Sequence, residues 1–485
     1  MCLFFEGFGR MKKCHPEKVK KFPYYSKDLS HRFIEVRSIE GESKKMAIYY
    51  KGIFFLAASA FLGEGIEFFV NMILARELGK HGLGLYMSIL PTIFLIVLLA
   101  SFELQVSISK FIAEKEDRYH RNILYHALTI TIIFTSVLLL LATSIMQFIP
   151  VFNGYHPYVR WLVLILIPVI SFTSVARGYF MGKHHMGKIA VANFLRKVFQ
   201  LAALFVLFRL FQFKTESALL IAIAALIGSE VVVFLYLFYM FIVQFQQVKR
   251  IPFSNLNRKV VRKNLMAVSI PTTGMRLFSA VTGAVQPFLI KAALVRSGLS
   301  ATMATEQFGM LMGVAMSIGF FPAFIAHSLM IVLIPGVSKT HAAGDYSSLQ
   351  KMLQQVMFMT FIYGVAAVGV FYFFAPELTS LFFKSSTPAV FLQMLWPYFL
   401  FHFFIMPFQA FLIGLDMIKD SFIHIIWSVV VSFTIMVWLG SYPEWRMEGV
   451  IIGMNTGAVL LALMHYLTIC KKIGISVFLK GAVQR

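Results

Sequence analysis

Three groups of polar residues fall inside otherwise apolar runs, and their types and spacing suggest chemistry. The first is Glu64, Glu67 and Asn71. At about 100° per residue these lie within roughly 60° of one another on a helix. Two carboxylates one turn apart repel each other, which suits them to holding a proton or a sodium ion. The second group is Thr272, Arg276, Ser279, Gly283 and Gln286, a stripe within about 80°. Its guanidinium is a planar fork of donors that matches a phosphate or a carboxylate. The third is Asn193, Arg196, Lys197 and Gln200, within about 100°. That basic face either receives an anionic headgroup or snorkels toward the lipid interface. A structural alternative also exists for Arg276, namely an internal ion pair with Glu64 or Glu67. Glu103 with Ser107, Glu230 and His327 are read as hydrogen-bonding partners within the protein.

The elements that position these groups follow from composition. Of 485 residues, 59% are apolar and 14% charged, and the mean hydropathy is +0.77. A soluble domain carries about 25% charged residues. So much apolar surface requires a bilayer, which excludes a cytosolic enzyme, a nucleic-acid-binding domain and a secreted disulfide scaffold. Cys2, Cys14 and Cys470 have no ligand-like spacing, so neither a bridge nor a metal is expected.

A helix needs about 20 apolar residues to span the membrane. Such runs begin near Gly52, Gly84, Ile123, Tyr158, Ile189 and Ala218, and again near Leu265, Phe308, Leu349, Ala389, Ser421 and Glu448. The expected fold is all-α, with twelve transmembrane helices. The net charge of +22 is assigned to cytoplasmic segments rather than to nucleic acid, because Lys and Arg gather in alternate loops and the N-terminal tail. This places both termini in the cytoplasm.

Residues 1–45 read as a basic, disordered cytoplasmic tail, or as sequence ahead of a start at Met46. The N-lobe follows over 46–248, a basic linker over 249–263, the C-lobe over 264–470 and a cytoplasmic end over 471–485. Six spans in each half make parallel repeats, with a substrate site expected between them near the midplane. Ser109-Lys110-Phe111-Ile112-Ala113 and Ser338-Lys339-Thr340-His341-Ala342 leave the second and eighth spans as weak echoes of one another. The small-residue run Gly313-Val314-Ala315-Met316-Ser317-Ile318-Gly319 and prolines such as Pro322 and Pro335 suit a helix that bends. There is no phosphate-binding loop, H-E-x-x-H or G-x-S-x-G motif, so neither an enzyme nor a cofactor is expected.

Three short motifs carry a family resemblance. Ala75-Arg76-Glu77-Leu78-Gly79-x-x-Gly82-Leu83-Gly84-Leu85-Tyr86 resembles a segment of polysaccharide exporters. Ala176-Arg177-Gly178-Tyr179-Phe180-Met181-Gly182 and Phe321-Pro322 through Leu333-Ile334-Pro335-Gly336-Val337-Ser338 resemble the stage V sporulation protein B group. In order along the chain, they resemble the multidrug/oligosaccharidyl-lipid/polysaccharide (MOP) flippase superfamily. In ending after the twelfth span the chain resembles the shorter YkvU-like branch, and also the drug antiporters. The resemblance implies a V-shaped, MATE-like transporter of two six-helix lobes and a polyprenyl-pyrophosphate-linked sugar moved from the inner to the outer leaflet of the cell membrane. It also implies a part in spore or envelope construction, alongside envelope-synthesis enzymes.

The expected partners are therefore a lipid-linked oligosaccharide, membrane lipid and protons or sodium. Asn193, Arg196, Lys197 and Gln200 receive the pyrophosphate in this reading. Arg276 with Thr272, Ser279 and Gln286 holds it mid-way, and Glu64 and Glu67 couple the cycle to cations or release Arg276 by charge competition. A cation-coupled multidrug antiporter and a membrane scaffold are the alternatives.

Overall fold

The computed structural model describes residues 27–146, 152, 154–248, 257–382 and 387–476, without the side chains of 27–60, 247–248, 271–272, 275 and 331. The first part of the tail, most of the linker and the side chain of Thr272 thus lie outside the described residues. By its contacts the chain forms two units, Met1–Ser59 and Ala60–Arg485. In the first, residues 27–59 are helical.

The second unit is a bundle of apolar helices. Among the described residues, eleven are long and apolar enough to cross a bilayer, which makes this a multi-pass membrane protein. The first of them, Phe61–Glu114, has 54 residues. At 1.5 Å per residue it is about 80 Å long, well over twice the hydrocarbon core. It joins most of α1 (Lys27–Ser101) to the helix that follows, and α1 is itself divided at Gly79, where φ is 66° and ψ −177°. Only glycine reaches that region cheaply, so α1 supplies two passes with no loop between them.

The second pass is itself discontinuous. Phe102 and Glu103 take left-handed φ values of 44° and 45° before α2 (Leu104–Glu114) resumes. The N-lobe continues with α3 (Asp117–Ile145), α4 (Tyr158–Gly182), α5 (Met186–Leu210) and α6 (Thr215–Val248). α7 (Arg258–Arg296) opens the second half. It is followed by α8 (Ala301–Gly309), a π-helical turn (Met310–Ala315), α9 (Met316–Gly319) and α10 (Ala323–Ala342). The small-residue run thus holds a π-turn, and the same pass is interrupted ahead of Pro322, a residue with no N–H to continue the ladder. Then come α11 (Tyr346–Phe373), α12 (Ala375–Ser380), α13 (Thr387–Met394), α14 (Trp396–Gly414), α15 (Ile418–Gly440) and α16 (Arg446–Ile473). Asp345, just outside α11, accepts from the Ser348 N–H at 2.9 Å. Its hydrogen bonds to Ser348 hold its carboxyl below the ordinary carboxylate range.

Small residues set the closest packing, as lipid-facing helices require. Gly178 and Gly182 of α4 let Ile108 and Ile112 of α2 approach to within 3 Å of where a Cβ would sit, which gives the second sequence motif a packing role. Gly449, Gly453 and Gly457 do the same between α16 and α15. There Ser432 and Ser428 donate to the carbonyls of Gly453 and Gly457 at 2.9 and 2.8 Å. His424 and His465 face each other with Nδ1 atoms 3.0 Å apart.

The two halves meet along several seams, two of which bear on the charged groups. On one, α2 and α3 lie against α7. On the other, the second helix of α1 crosses α8 so closely that a Cβ on Gly84 would overlap the Thr305 carbonyl, while one on Gly309 would sit 2.5 Å from the Gly84 nitrogen.

Candidate functional site

The break in the second pass leaves backbone carbonyls without helical partners. Serines of α4 satisfy them: Ser171 Oγ donates to Ala100 O at 2.8 Å and Ser174 Oγ to Ser101 O at 3.1 Å. The break thereby fixes Glu103 facing α7. Its side chain is only 2% exposed, and Arg276 Nη1 donates to its Oε1 across the seam. Arg276 remains 34% exposed, so its guanidinium borders open space as well as the acid. One turn further along α2, Ser107 Oγ and Ser269 Oγ are 2.7 Å apart. Toward the other end of α7, Lys291 Nζ donates to Ser88 Oγ at 3.1 Å.

Arg276 therefore pairs with Glu103; the ion pair with Glu64 or Glu67, the structural alternative that the sequence left open, is not the one formed. Helical spacing could not find that partner, because Glu103 lies in a left-handed break. Along the expected α7 stripe, Ser279 is exposed and Gln286 half-buried.

The basic group on α5 is dispersed. Lys197 Nζ donates to the Gly63 carbonyl at 2.8 Å and lies 3.7 Å from Glu67 Oε2. Arg196 lies 3.6 Å from Glu230. Arg177, a residue of the second sequence motif, is half-buried and interacts electrostatically with Glu230 and Arg196. Gln200 is buried and Asn193 exposed. The four residues do not form one open basic face; the two cations are each engaged by an acid of their own lobe.

Glu64 joins no ion pair among the described residues. With Glu67, Asn71, Met316, Ser317 and Phe320 it lines a cavity of about 220 Å³. Asn71 Nδ2 donates to Ser317 Oγ at 3.1 Å, linking the first pass to the segment just after the π-turn. His327 Nδ1 lies 2.9 Å from the Ala323 carbonyl and bonds within its own helix. Among the described residues there is no group of three or more His, Cys, Asp or Glu side chains able to hold a metal.

The all-helical architecture, its membrane-crossing helices and its likeness to known proteins define a membrane transporter fold of the MOP superfamily. A multidrug-resistance MATE family transporter of that superfamily, solved in an inward-facing conformation, superposes with a TM-score of 0.68 at 17% identity, covering 89% of this chain and 99% of that one. The chain belongs to the family described as Polysaccharide biosynthesis protein, matched over residues 49–341. It is 52% identical to sporulation protein YkvU of Bacillus subtilis (strain 168), over 90% of this chain and 98% of the relative. It is 31% identical to stage V sporulation protein B of the same organism, over 89% and 85%.

Proposed function

We propose that this transporter is a flippase for a lipid-linked anion, a polyprenyl-pyrophosphate oligosaccharide, moved across the cytoplasmic membrane by alternating access for spore-wall or envelope construction. The observation that carries the reading is Arg276, a half-buried guanidinium bonded to an acid of the opposite lobe. Alternating access must break contacts between the lobes, and a pyrophosphate offers Arg276 a bidentate replacement for Glu103. The relatives named for sporulation and the family's polysaccharide description support the same substrate class.

In this reading both termini face the cytoplasm, and Asn193, Arg196, Lys197 and Gln200 border the cytoplasmic mouth. Arg196 and Lys197 exchange their acids for the arriving pyrophosphate. Thr272, Ser279 and Gln286 extend the path along α7, and Glu64 and Glu67 hold a counter-cation. The Lys197 pair is partly exposed and contributes about 0.2–1 kcal/mol to stability. A hydrogen bond to a charged group is worth about 1.5–3 kcal/mol. Lys197→Met is therefore expected to leave the melting temperature within a few degrees of wild type while weakening binding of a polyprenyl pyrophosphate about ten-fold or more. Thermal melts and a binding titration check the two arms.

The cavity at Glu64, with an acid beside Phe320 and Met316, favours a second reading, export of an organic cation. Liposomes containing the protein separate the two. Translocation of a fluorescent polyprenyl-pyrophosphate sugar above the protein-free rate is the expected result. Efflux of a cationic dye driven by a proton gradient, without lipid translocation, would establish the antiporter instead.

A further inference from the structure

The seam contains an atom that anion binding alone does not use. Glu103 Oε2 is buried and accepts no hydrogen bond, while Oε1 depends on Arg276. Around the break, Ser171 and Ser174 of α4 are committed to backbone carbonyls. On α7, Arg276 bonds Glu103, while Ser269 lies 2.7 Å from Ser107. From α3, Phe134 stacks on Phe102 at 4.3 Å between ring centroids. Arg177, one turn along α4 from Ser174, interacts electrostatically with Glu230 and Arg196. Among the described residues Arg276 is thus the one charged side chain bonded to Glu103.

An anion that takes the guanidinium leaves a carboxylate buried without a counter-charge. A buried ionised group in that position neutralises itself by changing protonation state. We propose that Glu103 is a proton-coupling residue: an anionic headgroup arriving on Arg276 brings one proton from water onto Glu103, and the return of Arg276 expels it to water. One O–H bond forms on the carboxylate as the ion pair opens, and the same bond breaks as the pair re-forms. The guanidinium keeps its charge throughout. The proton site is distinct from Glu67, whose carboxylate is already met by Lys197. The inference rests on Arg276 as the anion site.

Proton uptake on binding means that affinity rises as pH falls, by up to about ten-fold per pH unit. The full-length protein in nanodiscs is titrated with a fluorescent polyprenyl pyrophosphate at several pH values, and proton uptake is followed with an indicator dye in weak buffer. Glu103→Gln removes the titrating group while keeping the side-chain shape, so it also reports any titration of the probe itself. Wild type is expected to take up close to one proton more per bound probe than Glu103→Gln, and the variant to bind with a flatter pH profile. Glu103→Asp is expected to restore the uptake. Equal uptake by wild type and Glu103→Gln, with both binding the probe, overturns the coupling but leaves the anion site intact. Failure of wild type to bind the probe removes the anion site, and the coupling with it.

Discussion

Arg276→Ala is expected to reduce translocation of a lipid-linked pyrophosphate to the rate of protein-free liposomes and to lower the melting temperature as well. The two losses have different origins. Removing one partner of a buried ion pair costs about 3–5 kcal/mol when both members are desolvated. Here the acid is buried but the guanidinium is one-third exposed, so the stability loss falls at or below the lower end of that range. The loss of translocation comes from removing the fork that would hold the pyrophosphate. A second variant separates them. Arg276→Ala combined with Glu103→Gln no longer leaves an orphaned carboxylate, so its melting temperature is expected to recover while translocation stays absent. Arg276→Lys keeps the charge but not the planar fork, and an intermediate rate is expected. Wild-type translocation by the double variant would show that Arg276 serves only to join the lobes.

Gly84→Leu is expected to have a comparable effect at the other seam. Any Cβ at Gly84 overlaps the Thr305 carbonyl, and the reciprocal contact from Gly309 also meets backbone. Neither clash is relieved by rotating a side chain, so the helices must separate. Overpacking a close contact costs about 1–3 kcal/mol, and here the strain falls on the approach of one lobe to the other. Cysteines replacing Ser88 and Lys291, whose side chains are 3.1 Å apart across the same seam, report the separation. A short bifunctional reagent is expected to join them efficiently in the otherwise wild-type protein. Addition of Gly84→Leu is expected to abolish the cross-link and translocation together. An unchanged yield would mean that this end accommodates the larger residue by a shift within one lobe.

Much of the architecture was legible in the apolar runs, because a bilayer imposes both length and hydropathy on every crossing. The glycines of the motifs were visible as well, and their reason is now physical: Gly178 and Gly182 admit α2, and Gly84 admits α8. The bending expected over 313–319 corresponds to a π-turn and a break ahead of Pro322. The break at Phe102 and Glu103 was not legible, since neither residue type favours a left-handed backbone and the turn is held by Ser171 and Ser174 from another helix. Glu103 is legible as a hydrogen-bonding partner within the protein, but not as the partner of Arg276, for which spacing offers only Glu64 or Glu67. Periodicity gave Arg196 and Lys197 a common face, but it could not reveal that Glu230 and Glu67 would each take one of them.

An interrupted helix is often where a transporter flexes. This one carries its own splint. The serines of α4 hold the loose carbonyls, and two glycines lock α2 to the same helix one and two turns below. The elbow at Glu103 is therefore built into a rigid wall, and the helix facing it touches that wall through Val261 and Leu265 at one end and through hydroxyls and one guanidinium nearer the elbow. Motion at this seam is expected to part the surfaces rather than unbend the second pass. Backbone amides around residue 103 should accordingly exchange with solvent as slowly as those in the middle of α4, even during turnover.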